Sequence, residues 1–77
     1  MKEIILKMLK ELKPEQNFID SENYIEEGIL DSFDIIELIS MLEEQFNVII
    51  DGMDILPEYF SNVEQIEKLV RKSSHNE

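Results

Sequence analysis

At 77 residues, with a net charge of −11, 43% hydrophobic residues and no cysteine, the chain forms one small acidic domain. A domain of this length buries only about 60% of the surface its unfolded chain exposes, and with neither disulfides nor cysteine-held metal available, helix packing must stabilise it. Fifteen of its acids lie between Pro14 and Glu67 with no Lys or Arg among them, which excludes a nucleic-acid partner because no basic stripe exists to neutralise phosphates.

The first element starts Met1-Lys2-Glu3-Ile4-Ile5-Leu6-Lys7. Lysines interrupt it too soon for the apolar stretch of a secretory signal, and no later run approaches the ~20 apolar residues of a membrane helix. A soluble, cytoplasmic monomer without membrane insertion is expected. Ile5, Met8, Leu9 and Leu12 repeat at helical spacing, with Lys7 and Lys10 on the other side. Pro14 ends that helix, because its ring clashes with the carbonyl four residues back. Residues 14 to 30 show no sustained period but contain Phe18, Ile19, Tyr24, Ile25, Ile29 and Leu30. They predict a long first loop pinned to the core by those side chains.

Asp31 predicts an N-cap for the second helix, with Asp34 three residues on in the capping-box position. At 100° per residue, Ile35, Leu38, Ile39, Leu42 and Phe46 share the inward face. Phe33, Glu37, Ser40 and Glu44 lie opposite, flanked by Ile36 and Met41. Apolar side chains at Phe33, Ile36 and Met41, ringed by Asp34, Glu37 and Glu44, point to a docking surface with apolar contacts for affinity and acids for steering. The plainer alternative is contact with the first loop or the short helix, Ile36 above all. The inward stripe is ordinary core, with a lining for a bound acyl chain as the secondary reading.

After Phe46, Asn47-Val48-Ile49-Ile50-Asp51-Gly52 reads as an extended connection with Val48 or Ile50 turned inward. Asp54 to Phe60 predicts a short helix interrupted or opened by Pro57. Ser61-Asn62-Val63-Glu64 spells a capping box for the last helix, with Val63, Ile66, Leu69 and Val70 inward. Residues 73–77 read as a flexible C-terminal tail beyond a domain of residues 1–72. The four methionines are expected to fill core, Met41 excepted, and His75 is a lone tail residue rather than a ligand. The carboxylates show no EF-hand spacing, so no metal site is expected. The fold class is all-α: three main helices, one short helix and a long first loop.

Ser32 is the residue best placed for chemistry, although from local sequence alone it equally reads as a plain helix-start residue. No nucleophile–base pair or phosphate-binding glycine loop accompanies it, so the chain is expected not to be an enzyme. Chemistry is done to this serine rather than by it.

Asp31-Ser32-Phe33, then Glu37-Leu38, Leu42-Glu43 and Phe46, stand in register with Asp-Ser-Leu followed by x-x-x-Glu-Leu-x-x-x-Leu-Glu-x-x-Phe. In this the chain resembles the acyl and peptidyl carrier protein family, and the order of helices and loops extends the likeness over its whole length. The resemblance implies an acyl-carrier-like bundle in which Ser32, and no other serine, is esterified by 4′-phosphopantetheine from coenzyme A. The terminal thiol of that group holds an acyl or aminoacyl cargo as a thioester. It also implies Asp31, Ser32 and Phe33 as the modification motif. The implied partners are a phosphopantetheinyl transferase, an adenylating ligase or acyltransferase, and a downstream synthase or transferase. The lead-in Glu27-Gly28-Ile29-Leu30 replaces the Leu-Gly-Ala of common fatty-acid carriers and looks more like D-alanyl or specialised carriers. The competing reading is an unmodified acidic adaptor that keeps the carrier fold.

Overall fold

The computed structural model describes residues 1–74. Among these the architecture is all helical: α1 (Lys2–Leu12), α2 (Ser32–Phe46), two 3-10 turns at Gly52–Asp54 and Pro57–Phe60, and α3 (Val63–Ser74). Helix α1 packs against both α2 and α3, and α3 also against the second 3-10 turn. Leu9, Leu38, Leu42, Ile66 and Leu69 meet in the centre with no exposed surface. Each helix contributes to that core because its apolar residues recur every three or four positions.

The first loop is held by local hydrogen bonds rather than by regular structure. The Asn17 side-chain oxygen accepts from the amides of Ile19 and Asp20, and that of Asn23 from Ile25 and Glu26. The Glu27 carboxylate accepts from the amides of Asn23 and Glu22, which hold it below the usual carboxylate range. Gly28 turns the chain at φ +72°, a left-handed conformation that a Cβ disfavours. Tyr24 is the knot of the loop. Its amide donates to the Ser61 carbonyl (2.7 Å), its hydroxyl donates to the Phe18 carbonyl (3.1 Å), and its own carbonyl accepts from Ile29 and Leu30. Its ring meets Phe18 edge to face at 5.1 Å.

Phe18, Tyr24, Ile29 and Leu30 are buried as the sequence predicts, but Ile19 is not: it is 82% exposed. The Asn17 turn directs it outward, because both amides after Phe18 are drawn to one side-chain oxygen. Helix α2 ends at Asn47, which takes the left-handed conformation (φ 53°, ψ 51°) and returns its amide to the Glu43 carbonyl. Ile50 is buried and Val48 packs against the core. The Glu43 carboxylate fastens this connection by accepting from the Ile50 amide at 3.0 Å.

Three further expectations change. The short helix opens at Pro57, one of the two readings expected, but a separate 3-10 turn precedes it, with Ile55 bent (φ −82°, ψ 78°) and Leu56 extended between the two. The cap of α3 is Asn62, whose side-chain oxygen accepts from the Gln65 amide at 2.9 Å, and not Ser61, whose hydroxyl donates to the Glu58 carbonyl. Helix α3 runs through Ser74 with Ser73 buried against it, its hydroxyl donating to the Leu69 carbonyl, where a tail is expected from residue 73. His75 and the remainder of that stretch lie outside the described residues. Of the methionines, Met8 is core and Met41 packs against it, whereas Met1 and Met53 are exposed.

Candidate functional site

The site is built where α2 begins. Asp31 sits outside the helix in extended conformation (φ −108°, ψ −175°), and its carboxylate accepts from the Asp34 amide at 2.9 Å. The Asp34 carboxylate accepts in return from the Asp31 amide at 3.1 Å, which completes the capping box. The Asp34 amide is the chief reason that the Asp31 carboxyl is held below the usual carboxylate range. The helical ladder starts with Ile35, whose amide donates to the Asp31 carbonyl at 3.0 Å. Ser32 and Phe33 therefore contribute amides that precede the ladder.

Ser32 is the first residue of α2 and is exposed. The chain has six serines. Ser21, Ser61, Ser73 and Ser74 each donate a hydroxyl to a backbone carbonyl within three or four residues. Ser40 is exposed in mid-helix, where the backbone ladder occupies the amides. Ser32 alone joins a hydroxyl free of such a bond to the open start of a helix. Beside it lies a cleft of about 240 Å³, formed by Ser32, Ile35 and Ile36 of α2 with Ile55, Leu56 and Phe60.

A cation reaches this corner from α1. The ammonium of Lys13 stands 3.2 Å from the Asp34 carboxylate, with the two side chains 25% and 14% exposed. Lys13 is the C-cap of α1: its amide donates to the Leu9 carbonyl at 2.9 Å and its carbonyl accepts from Gln16. The hydrogen bond to Asp34, reinforced by the nearby charges of Asp34, Asp31 and Glu15, raises the Lys13 pKa.

The outer face of α2 is as the helical period predicts. Phe33 is 79% and Ile36 63% exposed, and Glu37, Ser40 and Glu44 are exposed with them. Ile36 also meets the segment around Ile55 and Leu56 as one wall of the cleft. Two expected members of the face stand apart from it. The Asp34 carboxylate is engaged by the cap and by Lys13. Met41 turns toward α1, half-buried beside Met8 and Glu11, because its position on the flank brings it to the groove between the helices.

Sequence reasoning missed Lys13, Ile49 and Met53. The last two are exposed apolar residues in the connection after α2. Their signal is present in the sequence: Val48 to Pro57 holds more apolar side chains than a stretch without a helical period can bury. No cluster of metal-binding side chains occurs among the described residues. No helix among them is long and apolar enough to cross a membrane.

A family model described as a phosphopantetheine attachment site matches residues 1–70. No curated protein and no solved structure matches the chain.

Proposed function

We propose a carrier function from one premise: the chain belongs to the phosphopantetheine-attachment family, whose members carry covalently attached 4′-phosphopantetheine. We assign the attachment to the hydroxyl of Ser32. One observation carries that choice: Ser32 is the exposed serine at the start of a helix, free of the backbone bond that occupies four of the others.

The residues around Ser32 fit a phosphodiester-linked group. No side chain caps the hydroxyl, and the Ser32 and Phe33 amides lie at the positive end of the helix dipole, which favours an anion. Asp31 and Asp34 act against this by like-charge repulsion. Their capping box nevertheless fixes the backbone of the helix start from which the hydroxyl projects. The cleft beside Ser32 offers an apolar wall of Ile35, Ile36, Ile55 and Leu56. When bound, the group supplies the thiol that this cysteine-free chain lacks, for carriage of an acyl or aminoacyl thioester.

The chain itself performs no bond-making step in this reading. It presents Ser32 to a phosphopantetheinyl transferase, and it presents the outer face of α2 to the enzymes that load and unload the cargo. Phe33 and Ile36 supply apolar contact there, and Glu37 and Glu44 steer a basic partner surface, with Ser40 between them. The lead-in Glu27-Gly28-Ile29-Leu30 favours an aminoacyl or specialised acyl cargo over common fatty acids.

Incubation with coenzyme A and a broad-specificity phosphopantetheinyl transferase is expected to add one phosphopantetheine mass to the wild-type chain and none to Ser32→Ala. Modification that persists in Ser32→Ala would move the site elsewhere. A wild-type chain refused by several such transferases would leave the adaptor reading in its place.

A further inference from the structure

We propose that Lys13 is the counter-ion of the phosphodiester at Ser32: a charge-compensating residue lent by α1 to a helix start whose own neighbours are acidic. The inference rests on the assignment of Ser32 above and goes beyond it to a residue outside the motif. It starts from a conflict visible in the geometry. A phosphodiester joined to Ser32 brings a permanent negative charge between the carboxyl groups of Asp31 and Asp34. Dipole and amides at a helix start offer only part of the relief, since the Asp34 amide is already committed to the Asp31 carboxylate.

No cation from the neighbouring sequence is available, because the chain has neither Lys nor Arg between Pro14 and Glu67. Lys13 is the cation that the fold brings in, and among the described residues it is the one ion-paired to an acid of α2. Its backbone is fixed at both ends by the α1 cap and the turn to Gln16, so the ammonium is delivered to this corner rather than swept through solvent. The pair with Asp34 is partly covered by the surrounding chain, at 25% and 14% side-chain exposure. Lys13 already feels Asp31 as well as Asp34, and a third negative charge on the residue between them adds to the same attraction.

Position 13 is therefore coupled to the modification state, and a merely structural lysine would lack that coupling. The test compares melting temperature before and after enzymatic modification of the wild type, Lys13→Gln and Lys13→Arg, at low ionic strength and in high salt. In the wild type, modification should move the melting temperature little. In Lys13→Gln it should lower it by several degrees at low ionic strength, Lys13→Arg should behave as the wild type, and high salt should shrink the difference between variants. In the wild type alone, the side-chain amine resonance of Lys13 should shift on modification, a readout that does not depend on the variants folding. Equal melting shifts in all three proteins, or an unmoved Lys13 resonance, would overturn the counter-ion role while leaving Ser32 as the attachment point. Failure of the wild type to take up the group at all would overturn the Ser32 assignment, and this inference with it.

Discussion

Asp31 shows how one side chain does two jobs at the candidate site. Its carboxylate caps α2 and at the same time sets the negative charge beside Ser32. Because its folded pKa lies below the ordinary 3.8, the charged form is the one the fold favours. The resulting stabilisation is complete above the unfolded value and disappears as pH falls through the lower folded value. Asp31→Ala is thus expected to melt a few degrees below the wild type near neutral pH, and thermal melts in acid should show the gap closing below about pH 4. A gap of constant size down to pH 2 would assign the loss to something other than the ionised cap. The Asp31–Asp34 box was legible in the sequence, because a capping box is a fixed spacing of three. Lys13 was not. Its partner lies across the entire first loop, and nothing local signals a pairing that only the packing of α1 on α2 creates.

The same contrast between local and distant causes governs the helices. Helices α1 and α2 were readable because their apolar period is strong and the stop of α1, Pro14, is chemically explicit, whereas the left-handed Asn47 that ends α2 was read only as the start of an extended connection. The start of α3 was misplaced by one residue, since Ser61 and Asn62 are both good caps. The choice falls on Asn62 because Ser61 is already engaged: its hydroxyl donates to Glu58 and its carbonyl accepts from Tyr24. Asn62→Ala should accordingly cost about 1 kcal/mol in chemical denaturation. Ser61→Ala should cost less, since its hydroxyl donates to an exposed carbonyl that water can satisfy in its place. The reverse ranking would restore the capping box written in Ser61-Asn62-Val63-Glu64. The stretch from Asp54 was read as one short helix interrupted or opened by Pro57, and the extended Leu56 decides for the opening: Pro57 is the first residue of the second 3-10 turn, with a separate turn before it.

At the scale of the molecule, charge is the organising quantity. The cations sit on α1 and at the end of α3, while α2 and both connections around it are acidic. Several of those cations are tied down by pairs: Lys2 with Glu64, Arg71 with Glu67, and Lys72 with Asp54. The acids Glu37 and Glu44 remain outward on α2. If they steer a basic partner, association of the chain with a phosphopantetheinyl transferase should slow steeply as salt rises, because the Debye length shortens from about 30 Å at 0.01 M to about 8 Å at 0.15 M. Stopped-flow rates for the Glu37→Lys, Glu44→Lys double variant should start low and lose most of that dependence. A wild-type rate indifferent to salt would leave those acids as solubilising charges only. This polarity was fully legible in the sequence, since charge is additive and needs no fold to be counted.

Tyr24 carries a consequence of a different kind. The chain contains no tryptophan and two tyrosines, of which Tyr59 is half-open beneath the Lys72 ammonium at 5.7 Å. The other is the sealed knot of the first loop, its phenol pushed above its ordinary pKa chiefly by burial. Near-ultraviolet spectra of this protein thus contain a built-in gauge of whether that loop is seated. No dye or added fluorophore is needed to watch it, and the gauge is bonded through its carbonyl to Ile29 and Leu30, the residues that lead into the serine whose decoration one would wish to follow.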